Sequence, residues 1–158
     1  MELPVNHLKH AMARGEVVSG IWCNLCSEFA MEVVMGAGLD FVIIDTEHGP
    51  IDLFMLVRLL QASLASKTQP IVRVPWNEPS MIMKVLDAGA YGVIVPMVSN
   101  RAEAERAVGA CRYPPVGMRS NGPNRVMLYA GPDYQKHANE EVACIVMIET
   151  AEIGRAHV

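Results

Sequence analysis

The sequence has no long apolar run and no excess of basic residues. None of its apolar stretches approaches the roughly 20 residues that a helix needs to cross a bilayer, and residues 1–7 do not have the pattern of a signal peptide. We therefore expect no membrane partner and a cytoplasmic location. The formal net charge of −4 also disfavours a nucleic-acid partner, because nucleic acids are usually bound by a basic face.

Cysteine is scarce, with four residues in the chain. Cys23 and Cys26 have C-x-x-C spacing, but no second pair of Cys or His residues at zinc-finger spacing accompanies them. We expect the thiols to line the core of a protein in a reducing compartment. Metal or redox chemistry at the C-x-x-C pair is the weaker alternative.

The composition that remains is typical of one globular domain, since 51% of the 158 residues are hydrophobic and 19% are charged. Five apolar, β-rich segments alternate with four helical patterns. The strand segments are 17–22, 41–44, 70–75, 91–97 and 142–149, the helical ones are 28–37, 51–65, 79–88 and 100–110, and shorter helices are expected at 6–14 and 134–141. In the helix at 28–37 the apolar residues with helical spacing are Phe29, Ala30, Val33, Val34 and Ala37, and we interpret the methionines Met31 and Met35 as core residues. The alternation predicts a parallel sheet with right-handed crossovers.

The glycine-rich phosphate loop of nucleotide-binding sheets is missing after the first strand, where Trp22-Cys23-Asn24-Leu25 stands. Polar residues instead follow the strand segments, which is the layout of an α/β fold of the (β/α)8 TIM barrel family. Such a barrel takes about 250 residues. We therefore expect only about the first five βα units, in one partial barrel domain over residues 1–151.

The most informative stretch is the second strand segment together with the polar residues after it. Four apolar residues predict a strand buried on both faces, and Asp45, Glu47 and His48 come directly after them. Arg73 and Glu149 lie at the ends of the third and fifth strand segments. Parallel strands end at one edge of a sheet, where α/β folds bind ligands. The plainer alternative is that Asp45 caps a helix and His48 belongs to a surface loop.

Two further features bear on the chemistry. Residues 112–133 are rich in Gly, Pro, Asn and Arg, and we interpret this long excursion as a lid or substrate loop.

No lysine lies at a strand end, since Lys67 and Lys84 fall in a loop and a helix. This disfavours an aldolase that works through a Schiff base.

Several blocks of the sequence resemble the HpcH/HpaI aldolase family, which also includes the citrate lyase β-subunit. They occur in family order from about residue 15 to 150, and they are Gly20-Ile21-Trp22, Ile44-Asp45-Thr46-Glu47-His48-Gly49-Pro50, Val72-Arg73-Val74-Pro75-Trp76-Asn77, Leu86-Asp87-Ala88-Gly89-Ala90, Val95-Pro96-Met97-Val98, Arg112-Tyr113-Pro114-Pro115-Val116-Gly117-Met118-Arg119 and Ile148-Glu149-Thr150. The resemblance implies a (β/α)8 barrel, often a homo-oligomer such as a hexamer, and a metal-dependent class II aldolase. Its partners would be a 2-oxo acid such as pyruvate and an aldehyde, and its cofactor Mg²⁺ or Mn²⁺, with Co²⁺ possible.

The resemblance also implies roles for single residues. His48 matches the catalytic base, Arg73 the residue that stabilises the enolate, and Glu149 one of two carboxylate metal ligands. Asp87 matches an acid that raises the basicity of the histidine, although it ends a helix and should lie toward the opposite end of the barrel. It would then act across a subunit contact or be purely structural. Met147 stands where many members have a substrate-binding glutamine, whose amide hydrogen bonds a thioether cannot make.

These residue types suit one chemistry. A 2-oxo acid chelates a hard divalent ion through its oxygens, and the ion and Arg73 would stabilise the enolate while His48 transfers a proton. Asp45 and Glu47 would orient His48 or bind metal-bound water. The simpler alternatives are that Arg73 is only a salt-bridge partner, that Glu149 caps a helix and that Glu47 is structural.

The end of the chain departs from the family pattern. The second metal ligand, an aspartate in a Gly-Pro-x-Asp-Leu loop after strand six, is missing. Residues 152–158 correspond to one reading frame of a common short-read sequencing adapter, followed by its stop codon. We expect a non-native tail on an incomplete gene, with a natural terminus as the alternative, so His157 is not a candidate ligand. The alternative functions are an inactive truncated product and, more weakly, a lyase for a CoA thioester whose phosphates bind the loop at 112–125.

Overall fold

The computed structural model describes residues 5–151, which form a parallel five-stranded sheet. The strands are β1 Gly20–Cys23, β2 Phe41–Asp45, β3 Gln69–Arg73, β4 Gly92–Val95 and β5 Ala143–Val146. Each strand pairs in parallel with the next one along the chain. The five predicted strands are confirmed, although β5 ends before Glu149. The predicted tail at 152–158 lies outside the described residues.

The helices follow the strands as the alternation predicts. They are α1 His7–Ala13, α2 Glu28–Met35, α3 Leu53–Ala62, α4 Pro79–Ala88, α5 Arg101–Cys111, α6 Met127–Ala130 and α7 Tyr134–Glu141, with a 3₁₀ turn at Ser63–Ala65. Side-chain caps explain two starts, because Ser27 accepts from the N–H of Ala30 at 3.2 Å and Asn100 from that of Glu103 at 3.0 Å. Within residues 5–151, no helix combines the length and the apolar character needed to cross a membrane.

The strand order decides between two α/β architectures. A doubly wound sheet reverses its order at one point, so that helices cover both faces. Consecutive order with right-handed crossovers places the helices on one face instead. Here Val42, Val72 and Val93 pack with the helices in one large cluster, while Ile43 and Ile71 belong to a smaller cluster on the other face. That second face is the interior of a barrel, and the chain forms five βα units of the predicted (β/α)8 architecture.

Helix α1 closes the amino-terminal end of this interior. Leu8 packs in the interior cluster, and its N–H donates to Oε1 of Gln69 at the start of β3, at 2.7 Å. The side-chain amide of Asn6 donates to the carbonyl oxygens of Tyr91 and Glu141, which precede β4 and β5, at 2.8 Å each. These bonds connect α1 to the amino edge of the sheet. The carboxyl edge, where the strands end, lies at the opposite end of the interior.

The interpretation of residues 112–133 as a lid or substrate loop is wrong for this chain. Arg119 is buried and donates to Asp87 at 2.7 Å. Arg125 donates to the carbonyl of Ala88, and Tyr129 donates to that of Gly89 at 3.0 Å. All three acceptors lie in the last turn of α4 or directly after it, so the loop packs at the amino edge. Two of its arginines, Arg119 and Arg125, make structural contacts there.

Two expectations about burial hold only in part. Helix α2 buries Met31 and Met35, as expected of core methionines, whereas Phe29 and Val33 are exposed. Both pairs have helical spacing, so periodicity alone did not distinguish the two helix faces. Cys26 is exposed, and its thiol lies 3.1 Å from the carbonyl oxygen of Pro50 rather than in the core.

Candidate active site

An ion pair between β2 and β3 forms the base of the candidate site. Asp45 and Arg73 end their strands and are register partners in the parallel ladder. Paired residues of neighbouring strands project their side chains to the same face of a sheet. Accordingly, Nε of Arg73 donates to Oδ1 of Asp45 at 2.9 Å and Nη2 donates to Oδ2 at 2.6 Å. Asp45 is only 1% exposed, so this two-point bond is shielded from water.

Asp45 also shapes the turn that carries the next polar residues. Its Oδ1 accepts from the backbone N–H groups of Glu47 at 3.1 Å and His48 at 3.3 Å. Burial opposes ionisation of Asp45, but the hydrogen bonds from Arg73 and from these two N–H groups outweigh it, so the pKa of Asp45 lies below its usual value. No helix starts at this turn, since α3 begins at Leu53 and is capped by Asp52, so the alternative that Asp45 caps a helix is wrong. It is an ionised anchor for both the guanidinium and the turn.

The guanidinium of Arg73 is held on three sides. Besides Asp45, Oε2 of Glu47 lies 3.0 Å from its Nη1, and the ring of Trp22 at the end of β1 stacks on it with 4.4 Å to the ring centre. The hydrogen bond with Asp45 is the main reason why the pKa of Arg73 is raised, and the charges of Glu47 and Glu149 add to it, against the effect of burial. Arg73 is a fixed cation at the carboxyl edge.

Glu149 reaches the same edge from the segment after β5. Its Oε2 accepts the backbone N–H of Met97, which follows β4, at 2.7 Å. Its negative charge adds to the raised pKa of Arg73. The described residues end two positions after Glu149, and the alternative that Glu149 caps a helix stays a prediction.

His48 lies at the rim of this group. Its side chain is 70% exposed, and its Nε2 is 3.8 Å from Oε1 of Glu47. The exposed imidazole is open to solvent and to an incoming molecule. The carboxylate beside its imidazole ring is that of Glu47, which also lies against Arg73.

Two predicted residues lie elsewhere. Met147 packs with Ile94 and Ile145 in the interior cluster, and its N–H donates to Val95 at 2.9 Å. Asp87 ends α4 and is bound by Arg119 at 2.7 Å. Because α4 runs back from the end of β3 to the start of β4, Asp87 lies at the amino edge and cannot approach His48 of the same chain.

The structure thus brings Asp45, Glu47, His48, Arg73 and Glu149 to one edge. Two neighbours of this group were missed, Trp22 on Arg73 and Met97 on Glu149. Trp22 is the third residue of a strand, and its position one strand before Asp45 was the available signal. The backbone contact of Met97 has no signature in residue types.

The described residues provide only part of a binding site for a divalent cation. Among residues 5–151, no three His, Cys, Asp or Glu side chains are grouped so that they could hold one ion. The carboxylate of Glu149 has the hard oxygen atoms that Mg²⁺ and Mn²⁺ prefer, so it suits one ligand position. The remaining ligands would have to come from substrate, from water and from residues beyond those described.

Similarity to known proteins shows the family of this chain. The profile of the HpcH/HpaI aldolase/citrate lyase family matches residues 18–153. The chain belongs to this family. Among its relatives, the pyruvate aldolase of Rhizobium etli is 40% identical over an alignment of 158 positions, which covers 98% of this chain and 62% of that protein. The 4-hydroxy-2-oxo-heptane-1,7-dioate aldolase of Klebsiella pneumoniae is 41% identical over 155 residues, covering 93% of this chain and 57% of that protein.

A solved structure of an HpcH/HpaI aldolase/citrate lyase family protein from Burkholderia cenocepacia superposes with a TM-score of 0.90 and 33% identity. The match covers 96% of this chain and 63% of the other. The architecture is therefore that of the HpcH/HpaI family. The chain spans about three fifths of the length of the relatives that it matches.

Proposed function

We propose that the protein represented by this chain is a metal-dependent aldolase that cleaves or forms 4-hydroxy-2-oxo acids through a pyruvate enolate. The observation that carries the proposal is Arg73, a guanidinium fixed by Asp45 at the carboxyl edge, which Glu149 also reaches. The names of the aldolase relatives from Rhizobium etli and Klebsiella pneumoniae support the reaction class. The proposal assigns enolate binding to Arg73, proton transfer to His48 and metal binding to Glu149.

The contacts of Arg73 suit an enolate oxygen. An arginine has five N–H donors. Nε and one Nη2 hydrogen are used by Asp45, and Nη1 lies beside Glu47, so further N–H groups remain for an anionic ligand. Because the fork is already oriented and the indole of Trp22 shields one face, little reorganisation is needed when negative charge develops.

His48 is the group placed to move a proton. Histidine side chains exchange protons near neutral pH, and the exposed imidazole of His48 can reach a substrate directly or through water. Glu47 lies between His48 and Arg73, and we propose that it orients the imidazole. A bound Mg²⁺, Mn²⁺ or Co²⁺ would supply Lewis acidity toward the substrate oxygens. Met147 would line the interior below the substrate without an amide hydrogen bond.

The test uses the chain completed by the part of the Rhizobium etli pyruvate aldolase that the match leaves out, beside the 158-residue chain alone. Pyruvate released from a 4-hydroxy-2-oxo acid is measured with lactate dehydrogenase and NADH. We expect Arg73→Lys to lower kcat/KM by roughly 10²- to 10³-fold, whereas Arg101→Lys, at an exposed position, changes it less than twofold. Full activity in EDTA, or full activity of Arg73→Lys, would contradict the proposal.

The alternatives predict other outcomes of this assay. If the 158-residue chain alone is inactive and lacks a cooperative melt by circular dichroism, it is a truncated product whose β1 and β5 remain open edges. A CoA-thioester lyase is disfavoured, because Arg119 and Arg125 are used at the amino edge. A homo-oligomer, with Asp87 reaching His48 of another subunit, stays a prediction that the molar mass in solution tests.

A further inference from the structure

The segment after β4 contains an unusual backbone conformation. Met97 has a φ of 54°, and it is the only non-glycine residue with positive φ in the part of the chain that the structure describes. Residues with a Cβ rarely adopt this left-handed conformation, because the Cβ crowds the following carbonyl oxygen. Such strain persists only where surrounding contacts hold it, and these places cluster at functional sites.

The neighbouring hydrogen bonds show what the conformation does. Val95 accepts the N–H of Met147 at 2.9 Å, and in a regular parallel ladder the N–H two residues later, that of Met97, would donate back to Met147. Here the N–H of Val98 makes that bond instead, at 3.2 Å. Met97 is therefore one extra residue, a bulge in the pairing beyond β4 and β5. The bulge releases its N–H from the ladder.

The released N–H has a specific acceptor. It donates to Oε2 of Glu149 at 2.7 Å, a bond strengthened by the charge of the carboxylate. Directly beyond it, the hydroxyl groups of Ser99 and Thr150 are 2.8 Å apart. The two segments are thus joined on both sides of Glu149. One carboxylate oxygen is tied to the backbone of the preceding βα unit.

We propose that Met97 is a positioning residue for Glu149, and that its left-handed bulge turns a backbone N–H onto one carboxylate oxygen so that the other is presented to the ligand of the site. The inference rests on the proposed function for its effect on catalysis, but the contact itself can be tested separately. Groups that orient a metal ligand typically contribute 10- to 100-fold to metal affinity or activity.

The first experiment measures the contact in the 158-residue chain, independently of activity. With [¹⁵N]methionine labelling, we expect the amide hydrogen of Met97 to exchange at least tenfold more slowly in the wild type and in Glu149→Gln than in Glu149→Ala. Gln keeps an oxygen acceptor and Ala does not. Glu105→Ala, at an exposed site on α5, is the control and should leave the rate unchanged. An unprotected Met97 amide in the wild type, or equal rates in all variants, overturns the inference.

The second experiment tests the left-handed conformation with a matched pair of substitutions. Asn tolerates positive φ, whereas β-branched Val of similar size resists it, and both keep the N–H. In the completed chain we expect Met97→Val to weaken Mn²⁺ binding and lower kcat/KM by about tenfold or more, and Met97→Asn to stay within about threefold of wild type. Equal effects of Val and Asn overturn the inference. A protected Met97 amide in a protein that releases no pyruvate refutes the proposed function instead, and leaves the contact established.

Discussion

The buried pair of Asp45 and Arg73 gives the sharpest test of how the site is built. Removing one partner of a buried ion pair costs about 3–5 kcal/mol, because the other charge is left without compensation. Asp45→Ala deletes both bonds to Arg73 and both acceptor contacts to the turn. Glu47 remains 3.0 Å from the guanidinium and compensates part of the loss. We therefore expect the lower end of the range, about 3 kcal/mol.

Urea unfolding at pH 7, followed by circular dichroism, measures this loss. With a denaturant slope of about 2 kcal/mol per molar, a loss of 3 kcal/mol lowers the midpoint by about 1.5 M at unchanged slope. The double variant Asp45→Ala/Arg73→Met removes both charges of the pair, so neither Asp45 nor Arg73 is left without the other. It should be at least about 1 kcal/mol more stable than the sum of the single losses predicts, because the loss of the Glu47 contact is common to Arg73→Met and the double variant. Glu105→Ala breaks a pair whose side chains are 90% and 64% exposed and should cost less than about 0.5 kcal/mol. A midpoint shift for Asp45→Ala no larger than this control, or strict additivity, would refute the reasoning.

Three further predictions concern the pH dependence of stability, the backbone conformation of Gly89 and the catalytic role of His48. The pKa of Asp45 is lower in the folded than in the unfolded state, so ionised Asp45 stabilises the fold. This stabilisation is complete above the unfolded pKa of about 3.9 and is lost as the pH falls through the folded pKa. The urea midpoints of wild type and Asp45→Asn should therefore converge below about pH 4. Gly89→Ala should lower the free energy of unfolding by about 2 kcal/mol, since Gly89 has a φ of 110° and a Cβ would strike the Tyr129 hydroxyl, whereas Gly122→Ala, with open space around it, is the control in the same urea titration. His48→Gln should lower kcat/KM of the completed chain by roughly 10²- to 10⁴-fold and shift the free energy of unfolding by less than about 0.5 kcal/mol, because the side chain is 70% exposed.

Much of the fold was predictable because its signals are local. Apolar runs, the caps Ser27 and Asn100 and the alternation of elements define the five βα units. The position of residues 112–133 was not, because a loop rich in Gly and Arg has no period that fixes its direction. Its location depends on long-range contacts such as Arg119 with Asp87. The exposure of Phe29 likewise depends on which of two helix faces the sheet covers.

The candidate site also has a part that was predictable from the sequence and a part that was not, and strand register separates the two. Asp45 and Arg73 are ladder partners, so identifying both strand ends was enough to place the two side chains together. Glu47 and His48 follow from the short turn that Asp45 holds. For these residues, position in the sequence is enough to show that their side chains lie close together in the structure.

Glu149 required more than strand register, because β5 ends at Val146 and two residues separate its end from Glu149. A segment that leaves its strand can direct a side chain to several places, and here the chosen place depends on the N–H of Met97. That donor belongs to the backbone, and any non-proline residue supplies the same group. The side chains at such an edge can thus be recognised in the sequence by residue type. The backbone that orients one of them can be recognised only in the structure, from a positive φ and a displaced hydrogen bond of the ladder. If this division is correct, Met97 tolerates any side chain that accepts the left-handed conformation, whereas Glu149 tolerates almost none.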